Sequence, residues 1–475
     1  MEKQKITATV LTIGVSTFMS SLDSSVVNLV VPLIRNEYGV SISTVEWIVT
    51  AYLLVVSSLL LTFGRLADLY GHKRIYSSGF VIFTAGSLLC GISINIYMLI
   101  ACRVIQSVGA GMLFAAGPAI ITNSVPASSR GKALSVTAVA VALGLCTGPV
   151  IGGFLSTFFG WQSIFFINIP IGLLGIILVR KNIPADERTT PAPFDFFGSI
   201  LIFASLLFIL LPLNISGDFD IPPAIFLCLL AAGFFLLIGF VALEKRIAHP
   251  LLKTSLFQNR VFASGNAAAF FIYMAQFIMV FLAPFYLENI RQFTALLSGL
   301  LFLPMPLATM IAAPVSGGIS DRFGGKYITS AGAFIMACGL FMLSFLGSES
   351  HFVYIVSAMV VCGIGFGMFQ TPNNSAIMGS VPPQNRGTAS GTLATMRNTG
   401  MVMGVAVSGA LFSCFQSKGI TVFARLGQTG VSLHNNAFTY ALHLTFLIAS
   451  CVALVSMAFS MFKGKEKSLL RIKTE

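Results

Sequence analysis

Residues 64–74 read GRLADLYGHKR, and a related run, GGISDRFGGK, returns at residues 317–326. Gly64, Asp68, Gly71 and Lys73 of the first copy align with Gly317, Asp321, Gly324 and Lys326 of the second. The likeness extends beyond the loop. Val125-Pro126, Arg130-Gly131 and Ala133 come back as Val381-Pro382, Arg386-Gly387 and Ala389. Gly144, Gly148 and Gly152 come back as Gly400, Gly404 and Ser408. Three blocks in one order, at offsets of 253–256 residues, indicate two homologous halves.

What surrounds these blocks sets the solvent. The 475 residues are 56% hydrophobic and 9% charged, with a mean hydropathy of +0.90. A soluble domain carries about 25% charged residues. Apolar runs of ~20 residues, the length that crosses a bilayer, lie near 7–31, 45–64, 75–95, 97–122, 134–158 and 161–179. Six more lie near 261–286, 295–316, 327–346, 352–378, 389–415 and 437–462. A pair at 195–214 and 221–243 is left over between the halves. The runs are continuous rather than alternating, so they read as helices and not as barrel strands. The expected fold is an all-α polytopic membrane protein of 14 transmembrane helices. Two six-helix bundles, residues 1–185 and 251–475, flank two inserted helices within 186–250.

A net charge of +12 raises the prospect of a nucleic-acid partner, but its distribution argues against one. With fourteen spans and a cytoplasmic N-terminus, 22 of the 28 Lys and Arg fall on cytoplasmic segments. The positive-inside rule accounts for that bias and puts both termini in the cytoplasm. The eight cysteines lie in or beside apolar runs without a CxxC pair, which reads as free thiols rather than disulfides or a metal site.

Charges within the spans cost roughly 2.5 kcal/mol or more each, so they mark function. Asp23 in the first span and Arg103 in the fourth are the deep pair. Their counterparts in the second half are the neighbourhood of Gln276 and Met359, so that half repeats the skeleton without the charges. One reading is a structural ion pair that sets helix register. The favoured one is a carboxylate that loads and releases a proton as access alternates, with an always-charged arginine setting its affinity.

Here the residues resemble a family. The 64–74 loop and its copy are similar to the signature loop of the major facilitator superfamily. CRVIQSVGAGM (102–112) resembles its fourth-helix motif, whose arginine is implicated in proton transfer, and GLCTGPVIGGF (144–154) its antiporter motif. LDSSVVNLVVP (22–32) and WQSIFFINIPIG (161–172) resemble the fourteen-helix drug:proton antiporter branch, although Gln162 and Ser163 replace its commoner Arg-Trp. The resemblance implies proton-coupled multidrug efflux by alternating access, in a bacterial-type inner (cytoplasmic) membrane, with a consequence for antibiotic resistance. The alternative is a dedicated transporter of a single metabolite, lipid or peptide on the same fold.

Roles follow for the remaining candidates. Gly64, Asp68, Gly71, Lys73 and Arg74, with Asp321 and Lys326, form a conformational latch whose bland counterpart is a topogenic basic loop. Gly144, Gly148 and Gly152 share one face of the fifth helix. With Pro149 and Gly153 they permit close approach and a bend. Asn28, Gln276, Thr309, Gln370, Asn373, Asn374 and Arg397 are the cavity candidates. For Arg397 two readings stand, a cavity-facing cation or one that snorkels to the membrane edge. For the polar group at 370–374 the competing reading is interhelical hydrogen bonding.

Branch members that expel divalent cations often carry an acid near a Leu-Pro-Met sequence. Here LFLPMPLATM (301–310) has Thr309 instead, and Asp23 is the single deep carboxylate. Lipophilic monocations, zwitterions or neutral compounds fit better than dications. No HExxH or GxSxG is present, so the chain is not expected to be an enzyme. The expected partners are small lipophilic substrates, protons and membrane lipid, with no nucleic acid and no cofactor beyond the proton gradient. A monomer is expected.

Overall fold

The computed structural model describes residues 2–125, 130–184, 195–215, 222–247, 254–382 and 386–463, and all regular structure among them is helical. The first half holds α1 (Glu2–Tyr38), α2 (Ile42–Tyr70), α3 (His72–Gly91), α4 (Ile96–Ser124) and α5 (Arg130–Phe159). It ends with a short turn, α6 (Ser163–Phe166), and α7 (Asn168–Asn182). Next in the chain come α8 (Phe196–Ile215) and α9 (Pro223–Glu244), where the sequence reading expects the inserted pair. The second half holds α10 (Arg260–Phe285), α11 (Ala295–Phe302), α12 (Pro304–Phe323) and α13 (Gly325–Ser344). It closes with α14 (Phe352–Gly379), α15 (Arg386–Arg425) and α16 (Gly430–Met461).

Among the described residues, 12 helical segments are long and apolar enough to cross a membrane. Of the two further spans counted in the sequence, α3 is helical but less apolar, and α8 contributes a shorter apolar stretch, Phe197–Pro212.

Polar residues at the helix starts do what their types predict. Ser41 accepts from Thr44 N at 3.0 Å, Asn95 from Met98 N at 2.8 Å and Asn259 from Val261 N at 2.9 Å. Each satisfies a backbone donor that the first helical turn leaves open.

The sequence repeat is also a repeat of backbone. Gly71 between α2 and α3 has φ 101° and ψ 134°, and Gly324 between α12 and α13 has φ 88° and ψ 143°. Both are conformations that side chains resist. Each amide closes its helix on the carbonyl four residues back, Ala67 at 2.9 Å and Ser320 at 2.8 Å.

Matching glycines also bring matching helices together. A Cβ on Gly79 of α3 would lie 3.0 Å from the Gly109 carbonyl of α4, and one on Gly332 of α13 would lie 2.8 Å from the Gly365 carbonyl of α14. With no hydrophobic driving force between helices in lipid, such backbone approach supplies the packing energy.

The helices run alternately away from and back toward the end that carries residues 2 and 461. At the opposite, distal end the halves close on each other. A Cβ on Gly153 of α5 would lie 2.6 Å from the Ala295 carbonyl of α11, and one on Gly299 would collide with the Pro149 carbonyl. Ser43 of α2 and Ser413 of α15 meet there with hydroxyls 3.3 Å apart. One turn further along α2, the fully buried Glu46 carboxylate lies where a side chain on Gly409 would begin.

Candidate functional site

Asp23 and Arg103 do meet. Arg103 Nη1 donates to Asp23 Oδ2 at 2.8 Å, with both side chains essentially inaccessible. The pair is the core of a larger network. Gln106, one turn beyond Arg103 on α4, donates through Nε2 to Asp23 Oδ1 at 2.9 Å and to Ser87 Oγ at 2.7 Å. Its Oε1 accepts from Arg103 Nη1 at 2.5 Å. Asn168, the first residue of α7, donates through Nδ2 to Asp23 Oδ1 at 2.7 Å. Arg103 Nε donates to the Ile48 carbonyl at 3.2 Å, and its guanidinium carbon lies 4.1 Å from the Tyr52 ring centroid.

Side chains from four helices, α1, α3, α4 and α7, therefore join one network around the Asp23 carboxylate, with α3 reaching it through Gln106. The carboxylate accepts from three donors, and the arginine is held by charge, amide, carbonyl and ring together. Enclosed charges need this degree of satisfaction, since an incompletely paired one costs several kcal/mol.

Local sequence makes the convergence possible. Gly86 of α3 lacks the Cβ that would lie 2.6 Å from Gln106 Cα, so α3 and α4 pack backbone to backbone and Ser87 reaches Gln106. Gly144, Gly148 and Gly152 of α5 face α1. Cβ atoms there would lie 2.8 Å from Ser21 Cβ, 2.6 Å from Ser25 Oγ and 2.8 Å from Val26 Cγ1. The glycine stripe thus seats the helix that carries Asp23, while Pro149 and Gly153 turn toward α11 of the other half.

Gln106 and Asn168 are the residues that sequence reasoning missed. A buried Gln one turn from a buried Arg was the available signal for the first. For the carboxylates, depth along a helix and burial are separate properties. By position along the helices it stands alone, but Glu46, Glu244, Asp195 and Glu288 are buried as well.

The other candidates separate into groups. Asn28 is buried, donates to the Ser24 carbonyl at 2.7 Å and leaves Oδ1 enclosed with no hydrogen-bond partner. Thr309 ties α12 to α14 by donating to the Gly363 carbonyl at 3.0 Å, besides Met305 of its own helix. Asn373 is fully enclosed. Its Nδ2 donates to the Gly265 carbonyl at 3.0 Å and its Oδ1 accepts from Lys463 Nζ at 2.6 Å, so it is occupied by interhelical bonding. Asn374 is half-buried.

Gln370, Arg397 and Tyr273 come together. Gln370 Nε2 donates to Tyr273 Oη at 2.9 Å, and the Arg397 guanidinium carbon lies 4.9 Å from the Tyr273 ring centroid. Gln276, one turn along α10, keeps Oε1 enclosed with no hydrogen-bond partner.

Among the latch candidates, Gly71 makes the turn and Gly64 is half-buried. Lys73 Nζ donates to the Ile183 carbonyl at 2.5 Å and the Arg180 carbonyl at 3.3 Å, stapling α3 to the end of α7. Arg74 is exposed, and Lys326 Nζ lies 5.9 Å from the Tyr327 ring centroid. The side chains of Asp68 and Asp321 lie outside the described residues.

Among the described residues no cluster of three or more metal-ligating side chains occurs.

Known proteins agree with this architecture. The chain is 36% identical over 465 residues to the riboflavin transporter RibZ of Clostridioides difficile (strain 630), covering 97% of this chain and 98% of that one. It is 30% identical over 413 residues to the multidrug resistance protein Stp of Mycobacterium tuberculosis (strain CDC 1551 / Oshkosh), covering 86% and 76%. The fold superposes on the crystal structure of a bacterial homologue of the human lysosomal transporter Spinster in its inward-facing, unoccupied conformation. That match has a TM-score of 0.69, 14% identity and 98% coverage of both chains. The family model described as Major Facilitator Superfamily matches residues 13–405. The protein is a multi-pass membrane transporter and not an enzyme, and the chain belongs to the Major Facilitator Superfamily.

Proposed function

We propose that the protein is a proton-coupled antiporter that exports lipophilic monocationic, zwitterionic or neutral compounds, with Asp23 as its proton carrier. The reading includes fourteen spans, both termini in the cytoplasm, a bacterial inner membrane and a monomeric working unit driven by the proton gradient without a cofactor. The observation that carries it is the enclosed Asp23–Arg103 pair with Gln106 and Asn168 completing the shell. Three donors satisfy an ionised carboxylate. A proton arriving on Asp23 adds an O–H where the shell offers only donors, so at least one of them must swing away. Arg103 then leans on Gln106, the Ile48 carbonyl and the Tyr52 ring, which already hold it. Protonation and helix rearrangement are thereby linked, which is the requirement for coupling. The closure of Pro149 and Gly153 on α11 at the distal end supports a cycle in which that seam opens as the other end shuts.

The second reading is a dedicated carrier of one metabolite. It is favoured by the 36% identity to a riboflavin transporter across nearly the full length of both chains. Everted vesicles holding an acid interior separate the two. Substrate-induced proton release is recorded with lipophilic cations, zwitterions, neutral drugs and riboflavin, for wild type and Asp23→Asn. Release with several unrelated compounds, lost in the variant, supports multidrug antiport. Release with riboflavin alone moves the reading to the dedicated carrier. Undiminished uphill transport by Asp23→Asn removes Asp23 from the mechanism.

A further inference from the structure

The chain has two arginines deep in its spans, and they differ in one respect. Arg103 is paired with a carboxylate at 2.8 Å. Arg397 is not. Among the described residues no acid stands within ion-pair distance of it, and its Nε is enclosed with no hydrogen-bond partner. A cation at that depth without its own anion is expensive and is kept where something else meets it.

The surroundings are built rather than accidental. On α15, Gly400 and Gly404 follow Arg397 by one and two turns. Side chains there would collide with the Phe270 and Met274 carbonyls of α10. That contact holds α15 against α10 and places the guanidinium over the Tyr273 ring at 4.9 Å. Tyr273 is itself fixed, by Gln370 Nε2 on its hydroxyl at 2.9 Å and by Phe366 edge-on at 5.1 Å between centroids. Gln370, Gln276 and Arg397 are each half-buried, so the cluster borders accessible space while its base is closed. Gln276 adds an enclosed Oε1 that lacks a partner.

From this geometry we infer that Arg397, Tyr273, Gln370 and Gln276 form a substrate subsite in the second half for planar aromatic compounds bearing carbonyl or anionic oxygens. Arg397 supplies charge-assisted N–H donors to those oxygens. Gln276 offers an acceptor to a ring N–H beside them, and the planar guanidinium, half-buried and backed by the enclosed Tyr273 ring, favours a flat molecule over a globular one. Positive charge on the substrate is disfavoured here, because Arg397 has no local anion to offset it, so of the compounds proposed above this subsite takes the neutral and zwitterionic ones and adds anionic ones. The proton site and the substrate site therefore lie in different halves, Asp23 in the first and Arg397 in the second. This inference rests on the transporter reading above but not on proton coupling.

The test is equilibrium binding to full-length protein in detergent, with no gradient applied. Three fluorescent planar probes are compared: riboflavin (uncharged, carbonyl-bearing), fluorescein (anionic) and ethidium (cationic). Variants are Arg397→Gln and Arg397→Lys, each checked for monodispersity and thermal unfolding. Arg397→Gln is expected to weaken riboflavin or fluorescein by at least about tenfold while leaving ethidium unchanged or tighter. Arg397→Lys, which keeps the charge and loses the planar fork, is expected to fall between. The inference is overturned if folded wild type binds neither riboflavin nor fluorescein, or if Arg397→Gln leaves their affinity unchanged. Because no proton movement is read, loss of coupling in Asp23→Asn leaves these outcomes untouched.

Discussion

The carbonyl oxygen of Pro149 occupies the place where a side chain on Gly299 would begin. The two residues belong to opposite halves, and their contact belongs to the seam that closes the distal end. The glycine–proline motif of the fifth helix is therefore part of the contact between the halves as well as a packing stripe. Gly144, Gly148 and Gly152 hold Asp23's helix, and the next face of the same helix meets the other half.

Gly299→Ala is expected to wedge that seam. Overpacking costs roughly 1–3 kcal/mol, which shifts a two-state balance by about five- to 150-fold toward the distal-open form. The hydroxyls of Ser43 and Ser413, 3.3 Å apart, offer a readout. A Ser43→Cys/Ser413→Cys pair cross-links in the closed form, and the yield is expected to fall when Gly299→Ala is added. An unchanged yield would separate this seam from the closing motion.

Gln106→Leu removes a donor from Asp23 and an acceptor from Arg103 while keeping similar volume. The loss is about 1–3 kcal/mol on a charged group. We expect folded protein, an uphill transport rate down about tenfold and a displaced pH profile of substrate-induced proton release. A packing role alone would lower thermal stability without moving the pH profile.

Asp23→Asn leaves Arg103 enclosed without its counter-charge, a cost of about 3–5 kcal/mol when one partner of a buried pair is removed. The melting temperature should drop along with coupling. Arg103→Gln added to Asp23→Asn removes the orphaned charge and should recover most of the stability but none of the coupling. Thermal unfolding beside proton release in the four proteins of this cycle checks both halves of the statement.

Lys463→Met leaves Asn373 Oδ1, enclosed between α10 and α14, without its donor at 2.6 Å. The expected effect is a stability loss of about 1–3 kcal/mol with unchanged substrate affinity in the protein that folds. A large change in affinity at constant stability would return Asn373 to the cavity wall.

Much of the architecture was legible in one dimension for a specific reason. A bilayer demands helices of ~20 apolar residues with all backbone groups paired internally, and such runs can be counted without knowing what they touch. The duplicated loop was legible too, because Gly71 and Gly324 each need a backbone conformation that other residues resist. The Asp23–Arg103 pair was legible because charges are rare in such runs. Neutral amides are not rare enough to stand out. Gln106 and Asn168 look like ordinary packing groups until the fold sets them 2.9 Å and 2.7 Å from one carboxylate.

Asn373 is a different case. Its company with Gln370 and Asn374 left a cavity wall and interhelical bonding both open, and in the fold Lys463, 90 residues away, donates to its carbonyl oxygen. By itself the sequence determined the helices, the twofold repeat and the presence of one buried charge pair, since each follows from local composition or from matching residues. Tertiary structure alone decided which amides complete the Asp23 shell, which glycines face the other half, and that Arg397 has no acid beside it among the described residues. Those facts depend on distances between side chains on different helices, and helix–helix register is set by packing that no single segment encodes.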